Sequence, residues 1–560
     1  MDYLSGLNDK QKEAVLAIEG PVLIVAGAGA GKTKTITHRI LHLMKTGVHP
    51  HNILAITFTN KAGKEMRERV EHLLTSDPLL RAEHRSAMPF VSTFHSLGVF
   101  IIKQWADRLG LPRHFVIFDK ADSKKIIKNA LESLGLEPKE HQDKVAGIIS
   151  REKGLGVSLP AFQSRQSYDF TSELTGKVWA YYEQTLSKEK ALDFDDLLLK
   201  MLELLENHED IRAYYQDLWK YVHIDEYQDT NKVQNRIAEI ISEKHQNICV
   251  VGDTDQNIYS WRGAEIKNML SFEKNHPRAH VILLEQNYRS TQTILAVAND
   301  IISKNKWRIN KKLFTENVEG EKVSIFEGFN EVDEAHFIAQ RSKEIIEGGV
   351  KADEIAVLYR ANFQSRILEE AFLAYGVPYQ MLGTKFFERK EVKDMLSYVK
   401  AALNPDGSTD LARIINVPTR GIGKVTLDKI EAGEEASLPI KTQEKIRLFK
   451  EMLVRIKEFM LTHKASESLR FIVEISGMAK AYAEGNDEDQ ERLENIMELV
   501  TLATGYDELL PEEGIERLLT DAALVSDQDS LKDAIKGVKL MTVHSSKGLE
   551  FEYVFAVSYT

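Results

Sequence analysis

The chain has 560 residues, of which 43% are hydrophobic and 28% charged. That is the composition of packed globular domains, roughly three to five of them at this length, and it excludes a disordered or fibrous protein. No apolar stretch approaches the roughly 20 residues a bilayer crossing needs, and the start MDYLSGLNDKQKEAV is polar, so the expected location is the cytoplasm, with no membrane partner.

The net charge of -12 argues at first against a nucleic-acid partner. The acidity is local, however: residues 481–530 hold fifteen Asp and Glu against two arginines, Arg492 and Arg517, which leaves the rest of the chain near neutral. Such a run is ordinarily a solvated helical face. The single cysteine, Cys249, sits in the apolar run Ile248–Val251 and reads as a small core residue.

In chain order, Val22–Ala26, Ile53–Phe58, Tyr221–Ile224 and Ile248–Gly252 are short, β-rich apolar runs, each leading into small or charged residues and then a helical pattern. Buried parallel strands of an α/β sheet have this signature. A second set is predicted at Val281–Leu284, Val323–Phe326, Ile355–Tyr359, Lys539–Val543 and Tyr553–Val557. Each set is interrupted by a stretch too long for a loop, with apolar spacing of three and four, as in Ala121–Leu134 and Ile446–Phe459. The expected fold is therefore α/β with two nucleotide-fold cores. The first takes residues 1–103 and 192–275 and carries a mainly helical insertion at 104–191; the second takes 276–400 and 537–560 and carries one at 401–536.

Residues 22–33, VLIVAGAGAGKT, set a hydrophobic strand directly before a small-residue loop and Gly-Lys-Thr, and ITHRILHLM continues with helical spacing. Gly27, Gly29 and Gly31, interleaved with Ala26, Ala28 and Ala30, let backbone N–H groups turn toward phosphate oxygens. The helix start adds positive potential, Lys32 reaches the terminal phosphates of ATP, and Thr33 can coordinate Mg2+. A glycine-rich turn without a ligand is the plain alternative. Ala26 stands where the usual pattern has glycine, a change small enough to keep the loop. The run Tyr221–Glu226 ends in an acidic pair in which Asp225 can hold the magnesium through water and Glu226 can polarise the attacking water. Elsewhere such a pair often serves only the helix dipole.

The pair continues as DEYQDT (225–230), and VGDTDQNIYSWRGA (251–264), LEQNYRS (284–290) and MTVHSSKGLEF (541–551) follow in order. Together with LNDKQKEAV (7–15), ITFTNKAGKEMRERV (56–70), STFHS (92–96) and LDFDDLL (192–198), this set resembles the ordered motifs of the UvrD/PcrA/Rep group of superfamily 1 helicases over nearly the whole chain. The resemblance implies two RecA-like P-loop cores and an ATP-driven motor that moves 3′ to 5′ on single-stranded DNA and unwinds duplex in repair or replication. It implies that Gln11 reads the adenine edge, Tyr288 stacks on adenine and Arg39 lies beside the nucleotide, with Lys34 and Glu550 in the same site. Gln256 would contact the γ-phosphate. Arg289, entering from the second core as an arginine finger, would make hydrolysis depend on closure of the cleft.

Phe58, Tyr259 and Trp261 lie just beyond predicted strands, where aromatic rings are presented for base stacking, although most such rings simply pack. Asn60 and Arg262 beside them suit sugar and phosphate contacts. Thr59, Thr93, His95, Arg360, Asn362 and His544 are further candidates for the groove. Gly421 and Gly423, in VPTRGIGKVT (417–426), resemble the hairpin with which the family's second insertion grips duplex backbone; a plain glycine turn reads the same way. The expected partners are single-stranded DNA, junctions of single and double strand, and repair or replication proteins.

Two other readings stay open: a subunit of a helicase-nuclease, and a nucleotide-gated DNA-binding protein that does not hydrolyse. The family pattern has a further motif, with a second arginine finger, beyond the 541–551 block, whereas the chain as given ends at Thr560. On that ground it is expected to bind ATP and single-stranded DNA, to hydrolyse poorly without unwinding, and to expose an apolar edge along Phe551–Val557.

Overall fold

The computed structural model describes residues 3–75, 87–165, 169–260, 263–361, 364–381, 387, 389–405, 407–431, 433–484, 487–524 and 536–557. Its strands in chain order are β1 (Val22–Ala26), β2 (Ile53–Thr57), β3 (Phe90–Thr93), β4 (Val116–Ile117), β5 (Ala191–Leu192), β6 (Tyr221–Ile224), β7 (Ile248–Gly252), β8 (His280–Leu284), β9 (Ile355–Tyr359), β10 (Tyr379–Met381), β11 (Val538–Thr542) and β12 (Tyr553–Ala556). One all-parallel sheet runs β3-β2-β6-β7-β1-β8, a second runs β10-β11-β9-β12, and β4 pairs with β5 alone.

The unbroken apolar runs of β1 and β2 form buried strands because helices cover both faces of the first sheet. Alternate residues point to opposite sides. Leu23, Val25, Leu54 and Ile56 join one core with the helices Phe94–Gln104, Phe194–Asn207 and Lys232–Ser242. Val22, Ile24, Ile53, Ala55 and Cys249 join the other with the helices Lys32–Lys45 and Asn60–Thr75. Each fully buried aliphatic side chain contributes about 1.5–3 kcal/mol, so these two layers make a stiff platform. Parallel strands end at the same side, which gathers the carboxyl ends of β1, β2, β3, β6 and β7, and every motif that follows them, along one edge.

The expected strand sets differ from the observed ones, which also include the short β4, β5 and β10 that were not expected. Val281–Leu284, predicted as the opening of the second set, lies in β8 and pairs with β1, Ala26 opposite Leu284, so the first sheet extends past the boundary expected at 275. An apolar run reports burial but not which sheet buries it. Val323–Phe326 forms no strand; Ile325 is 93% exposed, since β propensity without a partner edge makes no ladder. Phe90–Thr93 does form one, missed because it is short and polar at its end.

The residues between β4 and β5 form the helices Lys120–Ser133, Pro138–Gly154 and Phe170–Glu189 around Trp179, Tyr182 and Leu186. A buried ion cluster ties them to the first sheet's layers. Lys153 Nζ lies 2.9 Å from Asp193 Oδ2, 2.8 Å from Asp196 Oδ1 and 3.0 Å from Glu183 Oε1. Burial disfavours the ammonium, but these carboxylates outweigh it and hold its pKa well above the usual lysine range. The second helical stretch, including Ile440–Met460, Ala465–Ile475 and Asp487–Ala503, has its own core, and the helix Lys390–Leu403 packs there too, ahead of the boundary expected at 401. Its helix Pro511–Leu524 reaches the first sheet's layers through Glu516, 2.7 Å from Lys103. β12 is an edge strand with Tyr553 and Val554 exposed. No helix among the described residues is long and apolar enough to cross a membrane.

Candidate nucleotide site and nucleic-acid interface

The loop after β1 turns through Gly29 (φ +66°) and Gly31 (φ +79°), left-handed conformations that glycine adopts at little cost. A Cβ on Gly31 would lie 2.7 Å from Gln11 Nε2, and one on Gly27 would lie 2.1 Å from Leu313 Cδ2, so either side chain would have to move aside to admit one. No side chain caps the helix Lys32–Lys45 at Gly31, which leaves its first-turn N–H groups for an anion. This cradle fits a nucleotide phosphate. Thr33, half-buried in the first turn, and the carboxylate of Asp225 are the hard oxygen donors that Mg2+ takes.

Asp225 follows β6, and its N–H donates to Ile56 O at 2.9 Å. Glu226 stands in the left-handed region at φ +51°, where a residue with a Cβ is strained by about 1–3 kcal/mol. Charged contacts hold it there. Lys32 Nζ lies 3.1 Å from Glu226 Oε1 and donates to Gln256 Oε1 at 3.1 Å, and Gln228 Nε2 donates to Glu226 Oε2 at 2.6 Å. Burial opposes the Glu226 charge, yet Lys32 and Lys547 prevail and bring its pKa to about 2. Burial, and then the Glu226 charge, push Asp225 the other way, to about 7. The pair divides into one carboxylate kept ionised and one whose ionised form calls for a nearby cation.

Gln256 is aimed from β7: its Nε2 donates to Asp253 Oδ2 at 2.7 Å. Asp253 in turn pairs with Lys311, whose ammonium is also 2.5 Å from Asp255 Oδ2, while Arg308 Nη2 lies 2.9 Å from the same oxygen. Over the phosphate loop, Asn287 Nδ2 donates to Ala28 O at 2.7 Å and the Tyr288 N–H to Gly29 O at 3.0 Å. The Tyr288 ring is 49% exposed, its hydroxyl between Asn8 and Gln286. Arg289 Nε pairs with Glu550 Oε2 at 2.7 Å, so both expected nucleotide residues come together at the rim. Gln11 Nε2 donates to Ala30 O at 3.0 Å, and Lys34 Nζ to Gly6 O at 2.7 Å.

Arg39 is the correction in this group. Its guanidinium is buried and donates to the carbonyls of Ala14, at 2.8 Å, and Ala17, tying the helix Lys32–Lys45 to the end of the helix Asp9–Leu16 instead of lying beside a nucleotide. About two turns into its helix, it faces the earlier helix and not the loop.

Along the edge toward β2, the rings of Phe58 and Tyr259 stack at 4.9 Å between centroids. Tyr259 is only 6% exposed and its hydroxyl donates to His544 O at 3.0 Å, so it supports the face as a covered member and does not present its own ring. Arg360 Nη1 lies 2.9 Å from His544 Nε2, joining the ends of β9 and β11. Thr59 Oγ1 accepts from Ala62 N at 3.1 Å, Asn60 Oδ1 accepts from Ser96 Oγ at 3.5 Å, and the His95 ring meets Phe194 edge-on at 5.7 Å. Thr93, expected in the groove, is buried and caps the helix Phe94–Gln104, accepting from Ser96 N at 3.2 Å; a threonine before a helix serves that role first. Gly421 and Gly423 are exposed before the helix Lys424–Glu431, in a loop where Asn416 Oδ1 accepts from the N–H groups of Arg420 and Ile422. Trp261, Arg262 and Asn362 lie outside the described residues.

Reading by sequence missed four residues that build the site: Gln228, Arg308, Lys311 and Lys547. Gln228 and Lys547 stand inside quoted motifs, so the signal was present; Arg308 and Lys311 offered only the basic run KWRINKK.

A glycine loop after the first of several parallel strands, with a lysine, an acidic pair and a glutamine converging on it, defines a P-loop nucleoside triphosphatase. Residues 7–277 match the UvrD/REP helicase N-terminal domain and residues 282–560 the UvrD-like helicase C-terminal domain. The chain is 41% identical, over 576 aligned positions, to proteins of Staphylococcus aureus and Staphylococcus epidermidis, each named ATP-dependent DNA helicase PcrA; the alignments cover 99% of this chain and 77% of each relative. The chain belongs to the UvrD/REP helicase family.

Proposed function

We propose that this chain is an ATP-dependent DNA helicase that translocates 3′ to 5′ on single-stranded DNA and opens duplex at single/double-strand junctions, in the repair or replication work of the cytoplasm. The observation that carries the reading is the meeting on one sheet edge of the phosphate loop, Glu226 paired with Lys32, and the stacked Phe58–Tyr259 pair. The names of the two relatives point the same way.

Bound ATP with Mg2+ supplies the phosphoryl group and the charge neutralisation for its transfer. Lys32 reaches the terminal phosphates, and Thr33 and Asp225 would hold the metal. Glu226, kept ionised beside Lys32, orients the attacking water, and Gln256 senses the phosphate from its hold on Asp253. Arg289 joins from the segment after β8. Phe58, with Tyr259 behind it and Asn60, His95, Arg360 and His544 alongside, forms the strand-binding face, and the Gly421–Gly423 loop meets duplex backbone. In this reading the first sheet with its layers is one core, the β9–β12 sheet the other, and the two helical stretches are insertions in them.

The test is unwinding of duplexes carrying a 3′ or a 5′ single-stranded tail by the native protein, with ATP and Mg2+. Strand separation on the 3′-tailed substrate alone is expected. Separation only on the 5′ tail would overturn the polarity, and none on either, despite strand binding, the helicase reading.

A further inference from the structure

Lys547 belongs to the turn after β11 of the second sheet, yet its ammonium meets Asp229, Gln256 and Glu226, which follow strands of the first. Nζ donates to Asp229 Oδ2 and, at 3.3 Å, to the backbone oxygen of Gln256, and it lies 3.8 Å from Glu226 Oε2. The same nitrogen stands 5.8 Å from the ring centre of Phe58 and 5.3 Å from that of Tyr259. One side chain thus touches the water-orienting carboxylate, the phosphate sensor and the aromatic face. The arrangement is built: the lysine is 10% exposed, and the second carboxylate oxygen of Asp229 is buried with no hydrogen-bond partner, which leaves Lys547 the main balance of that charge. Its turn is pinned at the other end too, because Tyr259 donates to His544 O.

We propose that Lys547 is a positioning residue that couples the strand-binding face to the phosphate site, an inference that rests on the reading of Phe58 and Tyr259 as that face. A base stacked on Phe58 and an ammonium drawn to the same pair of rings share one small volume. Placing a base there shifts Nζ relative to Glu226 and Gln256, and a nucleotide that repositions Gln256 shifts Nζ relative to the rings. Because the lysine is carried by the second sheet, any rotation of one sheet against the other moves its charge with respect to Glu226. Such a coupling is reciprocal: nucleotide must change strand affinity by the factor with which strand changes nucleotide affinity.

The experiment measures the dissociation constant of fluorescent oligo-dT with and without a non-hydrolysable ATP analogue, for the native protein and for Lys547→Met and Lys547→Arg, alongside melting temperature. ATP turnover with and without oligo-dT is recorded in parallel. The native ratio of the two constants is expected to differ from one by about fivefold or more. In Lys547→Met it collapses toward one and strand stimulation of turnover falls with it, while Lys547→Arg, which keeps the charge, restores part of both. Asp229→Asn, which removes the anchoring charge, lowers the ratio as well and stands in should Lys547→Met fail to fold. Phe58→Ala separates the two readings. If that variant binds oligo-dT as the native protein does, the face is misassigned and the inference falls with it. If it binds weakly while Lys547→Met melts lower but keeps the native ratio, Lys547 is a structural ion pair only and the inference is overturned.

Discussion

At the β1 end of the sheet edge, Lys32, Glu226 and Gln256 follow three different strands, Lys32 lies 3.1 Å from each of the other two, and every one of them is charged or strongly polar and fixed by a second partner. At the β2 end of the same edge, Phe58 rests on Tyr259 at 4.9 Å, and among the polar neighbours Asn60 meets Ser96 and Arg360 meets His544. The first arrangement is rigid because its buried charges lie beside opposite charges and are further held by hydrogen bonds. The second is tolerant because stacking has no fixed partner geometry and accepts any base. A sheet edge can therefore hold a demanding chemical site and a permissive binding face side by side, provided something spans them.

Substitutions should separate the two ends, and the largest effect is expected at Glu226. Glu226→Gln keeps the shape but removes the water-orienting charge, and its ATP turnover should fall by about 10² to 10⁴ while nucleotide and oligo-dT binding stay near native. Near-native turnover would take Glu226 out of the chemistry. Behind the sensor, Lys311→Met leaves Asp253 and Asp255 without their main counter-charge and should lower stability by about 3–5 kcal/mol, read as a drop in the denaturant midpoint. An unchanged midpoint would mean that the cluster is solvated and does not hold Gln256.

At the permissive end the numbers shrink. Phe58→Ala should weaken oligo-dT binding by about 1–3 kcal/mol with ATP affinity in the absence of strand unaltered; equal losses of both would erase the contrast between the ends. Smallest is Tyr259→Phe, which deletes one hydrogen bond to His544 O and should lower stability by about 1 kcal/mol by thermal melting, with strand affinity kept because the ring still backs Phe58. A strong loss of strand affinity would instead make the hydroxyl a direct contact.

The legibility of the two ends differs for the same physical reason. The phosphate loop is local: strand, glycines, lysine and helix occupy twelve consecutive residues, 22–33, and the acidic pair ends a strand whose apolar run is plain. The aromatic face had the right residue types, but exposure is a tertiary property. Nothing near Tyr259 announces that His544, 285 positions away, takes its hydroxyl, and nothing near Arg39 announces the carbonyls of Ala14 and Ala17. Sheet membership failed likewise for Val281–Leu284, where burial was read correctly and the neighbour was not. Lys547 and Lys311 escaped notice because the carboxylates they serve lie 318 and 58 positions off, beyond any spacing rule.

In the proposed motor, hydrolysis at Glu226 answers to a strand lying on Phe58. The direct measurement is steady-state ATP turnover by the native protein as oligo-dT is titrated, repeated with Phe58→Ala. Turnover should rise by about tenfold or more to a plateau, with the Phe58→Ala midpoint moved to higher strand concentration by about the factor lost in binding. A rate that is the same with and without strand, or a midpoint that Phe58→Ala leaves in place, would contradict it.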